Sequence, residues 1–376
     1  MKKNIFYILF MLFFITLRKN KSVFIIINMN YDFKKLEQRL NKYISDKKVS
    51  GLSIVIAKND KILYDKTYGD AKENTLYRLA SLTKPITAVA ILICQDLALL
   101  NIDDYVDKYI PFLTNFPVKD KEGVYRITIR QLLCHSSGFP TDFTDHRFEN
   151  GNDTLEKVTS TFKDFVLQSI PGTKETYSNE AYDVAARIVE VVTHLKYEEF
   201  LKRYIFDPLD MHDTMYYLKE SDKDNIAVLY TDKNGELIPE STFTYGFDKY
   251  PNGYNGGGAG LISTVHDYLK FALMLTNQGK GILSKNAFEQ MIKRFDTPYY
   301  LSVFGLGVYI RGHENYEHIP EGSYGWSGAY GGHYFSIPKD KITIVYLHNS
   351  LSYGGSGAIH TYDLEDDICE IFHLEK

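Results

Sequence analysis

Apolar and polar residues along the chain follow two periods, and the changes of period predict the order of helices and strands. Apolar residues have helical spacing at 33–45, and residues 51–57 and 61–68 alternate as a hairpin that turns at Asn59-Asp60. Further helices are predicted at 86–99, 182–193 and 364–372, and further strands at 305–310, 332–337 and 341–348. We therefore expect an α+β fold, with one antiparallel sheet flanked by helices and a helical lobe inserted at about residues 91–255.

Length and composition favour one folded unit of the size of an enzyme. The chain has 376 residues, of which 44% are hydrophobic and 24% are charged, as in ordinary globular proteins. The formal net charge is -5 and the cations are scattered without basic blocks, so we expect no nucleic-acid partner. The three cysteines, Cys94, Cys134 and Cys369, are far apart, which predicts buried thiols and neither a disulfide framework nor a metal site. We expect no cofactor.

The N-terminal residues allow three interpretations. Two lysines precede an apolar run at 5–17, three cations follow within 18–21, and a second apolar patch occupies 23–27. The first run has the length of a signal-peptide core and is short for a bilayer span. A signal peptide, or a membrane anchor through residues 4–28, makes the protein extracytoplasmic or membrane-bound, whereas a translation start at Met29 makes it cytoplasmic.

The first candidate for chemistry is Ser81, which precedes a long apolar helix and is followed by Lys84. Serine is a favoured N-cap and Pro85 is tolerated in a first turn, so we expect Ser81 to start the helix. The i, i+3 spacing puts the amine and the hydroxyl on one face, where a neutral buried amine takes the serine proton. The same Ser-x-x-Lys pattern occurs without an apolar helix behind it at Ser45, Ser160 and Ser336.

A second candidate group is formed by Tyr177 and Asn179, in a loop before a predicted helix. A phenol titrates at about pH 10, and we expect a neighbouring ammonium to lower the pKa of Tyr177 and make it a proton shuttle. Asn179 is expected to steady Lys84 or the substrate. Because Tyr-x-Asn also occurs at Tyr250, a loop tyrosine that packs on a helix cap stays the alternative.

The order and context of these motifs resemble the class C β-lactamase and penicillin-binding family of serine hydrolases, including its esterase branch, over about residues 51–349. The similar stretches are RLASLTKP at 78–85, ITIRQLLCHSSGFP at 127–140, PGTKETYSN at 171–179, GGGAGLIS at 256–263 and GWSGAYGG at 325–332. The resemblance implies a β-lactamase/transpeptidase-like fold and a serine hydrolase domain at residues 30–376. It also implies Ser81 as the acylated nucleophile, Lys84 and Tyr177 as its activating pair, and Asn179 as an orienting group. An oxyanion hole from the backbone N–H groups of Ser81 and Ala329 is implied as well.

The third element of the resemblance departs from the β-lactamase pattern. Where β-lactamases and D-alanyl peptidases have Lys or His followed by Thr-Gly, this chain has Trp326, Ser327 and Gly328, its candidate substrate-binding residues. A cation at the first position pairs with the carboxylate of a β-lactam or peptidyl substrate, and an indole offers only a neutral N–H donor. The expected activity is therefore that of a carboxylesterase-type enzyme on a small ester or amide, unless His333 supplies the cation.

Other functions stay open from the sequence. A D-aminoacyl peptidase or transacylase, or a weak β-lactamase, would use the same residues, and a non-catalytic penicillin-type sensor would keep only the fold. We expect His135 to have a structural role at a helix end, because the Ser-Lys-Tyr arrangement needs no triad histidine. The glycine run at 256–258 is expected to form a tight turn beside the cleft.

Overall fold

Strands from both ends of the chain form the central sheet of the protein, whose computed structural model describes residues 31–140, 154–240, 254–296, 303–311, 319–354 and 359–375. The described strands are β1 (Gly51–Lys58), β2 (Lys61–Gly69), β3 (Tyr77–Arg78), β4 (Phe116–Pro117), β5 (Val124–Tyr125), β6 (Tyr230–Lys233), β7 (Glu236–Pro239), β8 (Ile262–Ser263), β9 (Tyr309–Ile310), β10 (Tyr324–Ser327), β11 (His333–Ile337) and β12 (Ile342–His348). Six strands pair in the order β2-β1-β12-β11-β10-β9, and every pair is antiparallel. The others form the pairs β3-β8, β4-β5 and β6-β7.

Most of the described α-helices lie between the two groups of central strands in the sequence. The described α-helices are α1 (Lys34–Ser45), α2 (Thr83–Asp96), α3 (Ile129–Leu133), α4 (Leu155–Ser160), α5 (Asn179–Thr193), α6 (Tyr197–Leu201), α7 (Val265–Thr276), α8 (Lys285–Met291) and α9 (Ile359–Phe372). Every residue from Thr83 to Cys94 in α2 is buried, because this helix packs along α5 inside the main hydrophobic core. An ion pair joins α1 to α9, with Arg39 Nη2 3.0 Å from Asp367 Oδ1.

Helices pack on both faces of the sheet, as two residues of β11 with opposite orientations show. The hydroxyl of Thr276, on α7, lies 2.8 Å from Ser336 Oγ and 2.6 Å from Thr343 Oγ1. On the opposite face, His333 Nε2 lies 3.2 Å from the Glu365 carboxylate of α9. Because side chains alternate along a strand, His333 and Ser336 face different helices.

The predicted α+β class is confirmed, and most predicted elements are found within a few residues of their expected limits. The predicted hairpin is β1 and β2, and its turn residues Asn59 and Asp60 both have a positive φ. The strand predicted at 305–310 is wrong, because only Tyr309–Ile310 joins the sheet. The chain turns before it, with a φ of 71° at Gly307 and a 2.9 Å hydrogen bond from Gly305 N–H to Val308 O. The limits of the inserted lobe stay a prediction.

The chain divides into a unit at Met1–Phe33 and a compact unit at Lys34–Lys376. The predictions for residues 4–28 and the chance motif at Tyr250 lie outside the described residues. Among the described helices, none has the length and hydropathy to cross a membrane. The prediction of buried thiols is confirmed for Cys94, Cys134 and Cys369, and burial raises the pKa of Cys94 to about 12.

Candidate active site

Ser81 lies in a short 3₁₀ turn, Ala80–Leu82, directly before α2. Ala80 has a φ of 46°, in the left-handed region that alanine rarely adopts. The helix begins at Thr83, and its N-cap is Leu82, which makes no side-chain hydrogen bond. The prediction that Ser81 caps the helix is therefore wrong. Its hydroxyl is not used for capping, and the residue is partly exposed.

Lys84 is fully buried beneath Ser81. Its Nζ lies 3.2 Å from Ser81 Oγ, 2.6 Å from Asn179 Oδ1 and 2.7 Å from Gly258 O. Amide oxygens only accept hydrogen bonds, so two protons of the amine point at Asn179 and Gly258. The remaining position on the nitrogen faces Ser81, and it is a proton in the ammonium form or a lone pair in the neutral amine.

Tyr177 reaches Ser81 from the other side. Its hydroxyl donates to Ser81 Oγ over 2.7 Å. Tyr177 precedes Ser178, the N-cap of α5, whose hydroxyl accepts a hydrogen bond from Ala181 N–H. Burial raises the pKa of Tyr177 above its ordinary value, although the hydrogen bond to Ser81 acts in the opposite direction. The expectation that a nearby ammonium lowers this pKa is therefore wrong, and the resting phenol is neutral.

The loop after β10 lies against the turn that carries Ser81. A Cβ on Gly328 would come within 2.4 Å of Leu79 O, so only glycine allows this approach. The loop is closed by hydrogen bonds from Gly328 N–H to Gly332 O and from Gly331 N–H to Gly328 O, at 2.7 and 3.0 Å. Ala329 is exposed at its tip. Neither its N–H group nor that of Ser81 donates a hydrogen bond within the described part of the chain.

Trp326 belongs to an aromatic cluster beside Tyr177. Its ring stacks on Tyr309 with the centroids 4.5 Å apart, and it lies 6.4 Å from the Tyr177 ring at an interplanar angle of 21°. Phe304 and His135 also contact it, at 5.7 and 5.8 Å. Trp326 is therefore only one side chain away from Ser81, although only 1% of its surface is exposed.

Ser327 and His333 pair on the opposite face of the sheet from Trp326. Ser327 Oγ lies 2.8 Å from His333 Nδ1, and His333 Nε2 faces Glu365. Arg311 Nη2 lies 3.4 Å from the same carboxylate, and all four side chains are at most 5% exposed. The alternative in which His333 pairs with a substrate carboxylate is not supported, because its imidazole is buried between Ser327 and Glu365.

The β-lactamase family model matches residues 33–366. The chain belongs to the β-lactamase family. Protein flp of Staphylococcus aureus (strain MW2) is 34% identical over 178 residues, which are 45% of this chain and only 35% of that relative. Penicillin-binding protein 4* of Bacillus subtilis (strain 168) is 27% identical over 343 residues, which are 85% of this chain and 73% of that relative.

A solved structure agrees with this β-lactamase family assignment at the level of the fold. EstCE1, described as a hydrolase with promiscuous acyltransferase activity, has a TM-score of 0.77 at 24% identity. The match covers 89% of this chain and 97% of that chain. The resemblance inferred from the motifs is therefore confirmed for the family and the fold. Among the described residues, no group of three or more histidine, cysteine, aspartate or glutamate side chains is arranged to hold a metal ion.

Sequence reasoning missed one contact of Lys84 in this β-lactamase family member. The carbonyl groups of Gly257 and Gly258 accept hydrogen bonds from Thr87 and Lys84, each at 2.7 Å. A Cβ on Gly257 would come within 2.1 Å of Tyr182 O on α5. Because these glycines have no side chains, the backbone can pass closely between α2 and α5. The run of three glycines at 256–258 was the sequence signal for this close approach.

Replacing Gly331 by alanine is expected to destabilise the protein by about 3 kcal/mol or more, because it combines backbone strain with overpacking. Gly331 has a φ of 104°, and a Cβ there would come within 1.9 Å of the His348 ring. Gly235→Ala is the matched control, because Gly235 has a φ of 84° and nothing within 4 Å. Urea denaturation measures both free energies of unfolding. Equal losses in the two variants would contradict the close packing against His348.

Proposed function

We propose that this protein is a serine hydrolase that forms an acyl-enzyme on Ser81 and acts on small esters or amides. The proposal rests on one observation, which is that two proton-transfer groups contact the same hydroxyl. Tyr177 OH and Lys84 Nζ lie 2.7 and 3.2 Å from Ser81 Oγ. A serine hydroxyl is a weak nucleophile, and it becomes effective when an adjacent base takes its proton during attack.

The hydrogen bonds around Lys84 support it as that base. As a neutral amine it donates two protons to Asn179 and Gly258, and its lone pair accepts the proton of Ser81. Complete burial favours the neutral amine, because burial disfavours the charged form. When Ser81 attacks, Lys84 gains the proton and becomes an ammonium with three hydrogen-bond acceptors around it. The neutral Tyr177 hydroxyl meanwhile donates to the developing negative charge.

The proposed reaction forms and breaks bonds in the following order. Ser81 Oγ bonds to the carbonyl carbon, and the carbonyl electron pair moves to the oxygen, for which we propose the N–H groups of Ser81 and Ala329 as donors. Collapse of this intermediate breaks the bond from the carbonyl carbon to the leaving oxygen or nitrogen atom. Lys84 returns its proton to that atom as the bond breaks, so a neutral alcohol or amine leaves. A water molecule repeats the sequence on the acyl-enzyme and releases the acid.

The stretch Trp326-Ser327-Gly328, which departs from the β-lactamase pattern, supports a substrate without a carboxylate. Trp326 stands where a cation is needed for carboxylate recognition, and an indole cannot form an ion pair. The basic side chains His333 and Arg311 both face Glu365 and are buried. A neutral ester brings no negative charge into the site. Binding it therefore leaves no desolvated charge without a partner.

Replacing Trp326 by lysine is expected to change the substrate preference. With p-nitrophenyl butyrate as a neutral ester and nitrocefin as a carboxylate-bearing β-lactam, wild type should favour the ester in kcat/KM. Trp326→Met is the matched control, because it removes the same ring and adds no charge. The ratio of nitrocefin to ester kcat/KM should be about tenfold higher in Trp326→Lys than in Trp326→Met, since the new ammonium pairs with the carboxylate.

Two results would count against this assignment of substrate class. A wild-type kcat/KM for nitrocefin equal to that for the ester would remove the preference for neutral substrates. Equal ratios in Trp326→Lys and Trp326→Met would mean that position 326 does not face the acyl group. Circular dichroism should accompany both measurements, because Trp326 packs in an aromatic cluster.

Acyl transfer is a second candidate activity of the same intermediate. EstCE1, a structural neighbour, is described as having acyltransferase activity beside its hydrolase activity. Ser81 and Tyr177 are partly exposed, which leaves room for an alcohol to replace water. Adding a primary alcohol during ester hydrolysis tests this, since a transferase makes a new ester and a strict hydrolase makes only the acid.

A further inference from the structure

One residue, His135, contacts Tyr177 and both of its neighbours in sequence. The backbone N–H of Thr176 donates to His135 O over 2.7 Å. The backbone N–H of Ser178 donates to His135 Nδ1 over 3.2 Å. The imidazole also stacks on the Tyr177 ring, with the centroids 4.4 Å apart and an interplanar angle of 21°. The segment that carries the phenol is thus attached to His135 by two hydrogen bonds and one ring contact.

The backbone of His135 is arranged for these contacts. It follows Cys134, the C-cap of α3, and has a φ of 56° in the left-handed region. Helices commonly end with one residue in this conformation, and histidine and asparagine adopt it more readily than most residues. The same residue therefore ends a helix and presents its carbonyl and its ring to the tyrosine segment.

His135 is a neutral ring whose proton is on Nε2, because Nδ1 accepts a hydrogen bond from Ser178. Burial lowers the pKa of His135 well below its ordinary value. The side chain is fully buried, and its Nε2 has no hydrogen-bond partner within the described residues. An unsatisfied buried N–H costs free energy, so a residue chosen for packing alone would be apolar here.

We propose that His135 is the positioning residue for the Tyr177 hydroxyl, and that it acts on the reaction only through that tyrosine. The inference rests on the proposed function, in which the phenol must stay 2.7 Å from Ser81 Oγ. Proton transfer requires this distance, and a displacement of about 1 Å costs about 100-fold in rate. The stacked imidazole restricts rotation of the phenol, and the two hydrogen bonds restrict the backbone on either side of it.

Two variants separate the contributions of the ring and of the acceptor. His135→Asn keeps an acceptor at the Nδ1 position and tolerates the left-handed backbone, but it removes the stacked ring. His135→Phe keeps the ring and removes the acceptor. We expect either variant to lower kcat for a neutral ester by about 10 to 100-fold with little change in KM. His194→Phe is the matched control, because His194 has a φ of 58° and is exposed at the end of α5.

A double-mutant cycle with Tyr177→Phe is the deciding experiment. If His135 acts only through the tyrosine hydroxyl, His135→Asn should lower kcat in wild type and change it by less than about twofold in Tyr177→Phe. A purely structural role would lower kcat by the same factor in both backgrounds, and that result would overturn the proposal. So would a kcat for His135→Asn equal to that of wild type. Circular dichroism and thermal unfolding verify that the deciding variants are folded.

Failure of this inference is distinguishable from failure of the proposed function. If a fluorophosphonate does not label wild-type Ser81 and no ester is hydrolysed, the proposed function fails. If wild type is labelled and turns over while the cycle is additive, the positioning role alone fails. The control His194→Phe should remain within about twofold of wild type, since it carries the backbone strain of the Phe variant without contact to the site.

Discussion

The Ser81→Ala variant is expected to lose ester hydrolysis by about 10³-fold or more and to lose all covalent labelling by a fluorophosphonate. Ser81 supplies an oxygen that both Tyr177 and Lys84 contact. Alanine is smaller and apolar, and the site is partly exposed, so the fold and the free energy of unfolding should change little. Mass spectrometry of labelled wild type should place the phosphonyl group on the peptide that contains Ser81.

Two chance occurrences of the Ser-x-x-Lys motif supply matched controls for the Ser81→Ala variant. Ser45 and Ser160 are each followed by lysine three residues later, and both hydroxyl groups bond to a local carbonyl oxygen at the surface. Ser45→Ala and Ser160→Ala should therefore retain full labelling and turnover. Turnover that persists in Ser81→Ala would refute the acyl-enzyme on Ser81. Absence of labelling in wild type would favour the non-catalytic sensor.

The Lys84→Met variant should lower kcat by about 10² to 10⁴-fold, because the base that takes the serine proton is lost. Methionine resembles the apolar part of the lysine side chain in shape and lacks the amine. Asn179 Oδ1 and Gly258 O lose their donor, so the free energy of unfolding should also fall by about 1 to 3 kcal/mol. The residual rate should rise with pH, since hydroxide replaces the missing base.

Lys163→Met is the control for this second prediction. Lys163 is the lysine of the chance motif at Ser160 and is exposed. It should show wild-type kcat and wild-type stability. A Lys84→Met variant within about threefold of wild type in kcat would show that Lys84 is not the base, and Tyr177 alone would then have to carry the proton.

Features that depend on residues close together in the sequence were predictable from the sequence. The hairpin of β1 and β2 and the helix α2 follow from apolar periodicity over short windows. The pairing of Ser81 with Lys84 follows from one turn of chain, and their observed separation of 3.2 Å agrees with it. The family was predictable as well, because several short motifs occur in one order along the sequence.

Other expectations failed because local patterns compete with packing. Ser81 was expected to cap α2, but the chain makes a 3₁₀ turn at Ala80–Leu82 and the cap is Leu82. The strand expected at 305–310 is mostly a turn, since Gly307 has a φ of 71°. The pKa of Tyr177 was expected to be lowered by a cation, whereas burial of the phenol raises it. Burial is a property of the folded chain and is not visible in a short sequence window.

The sequence by itself determined the family, the α+β class and the two side chains, Lys84 and Tyr177, that meet at the hydroxyl of Ser81. Only the tertiary structure decided what surrounds them. Gly258 accepts a hydrogen bond from Lys84 across 174 residues, and His135 accepts one from Ser178 across 43 residues. Both partners lie in stretches that resemble the family, but their local sequence does not show which distant groups donate to them. Their positions depend on how α2, α3 and α5 pack, because a hydrogen bond requires its atoms to lie within about 3 Å.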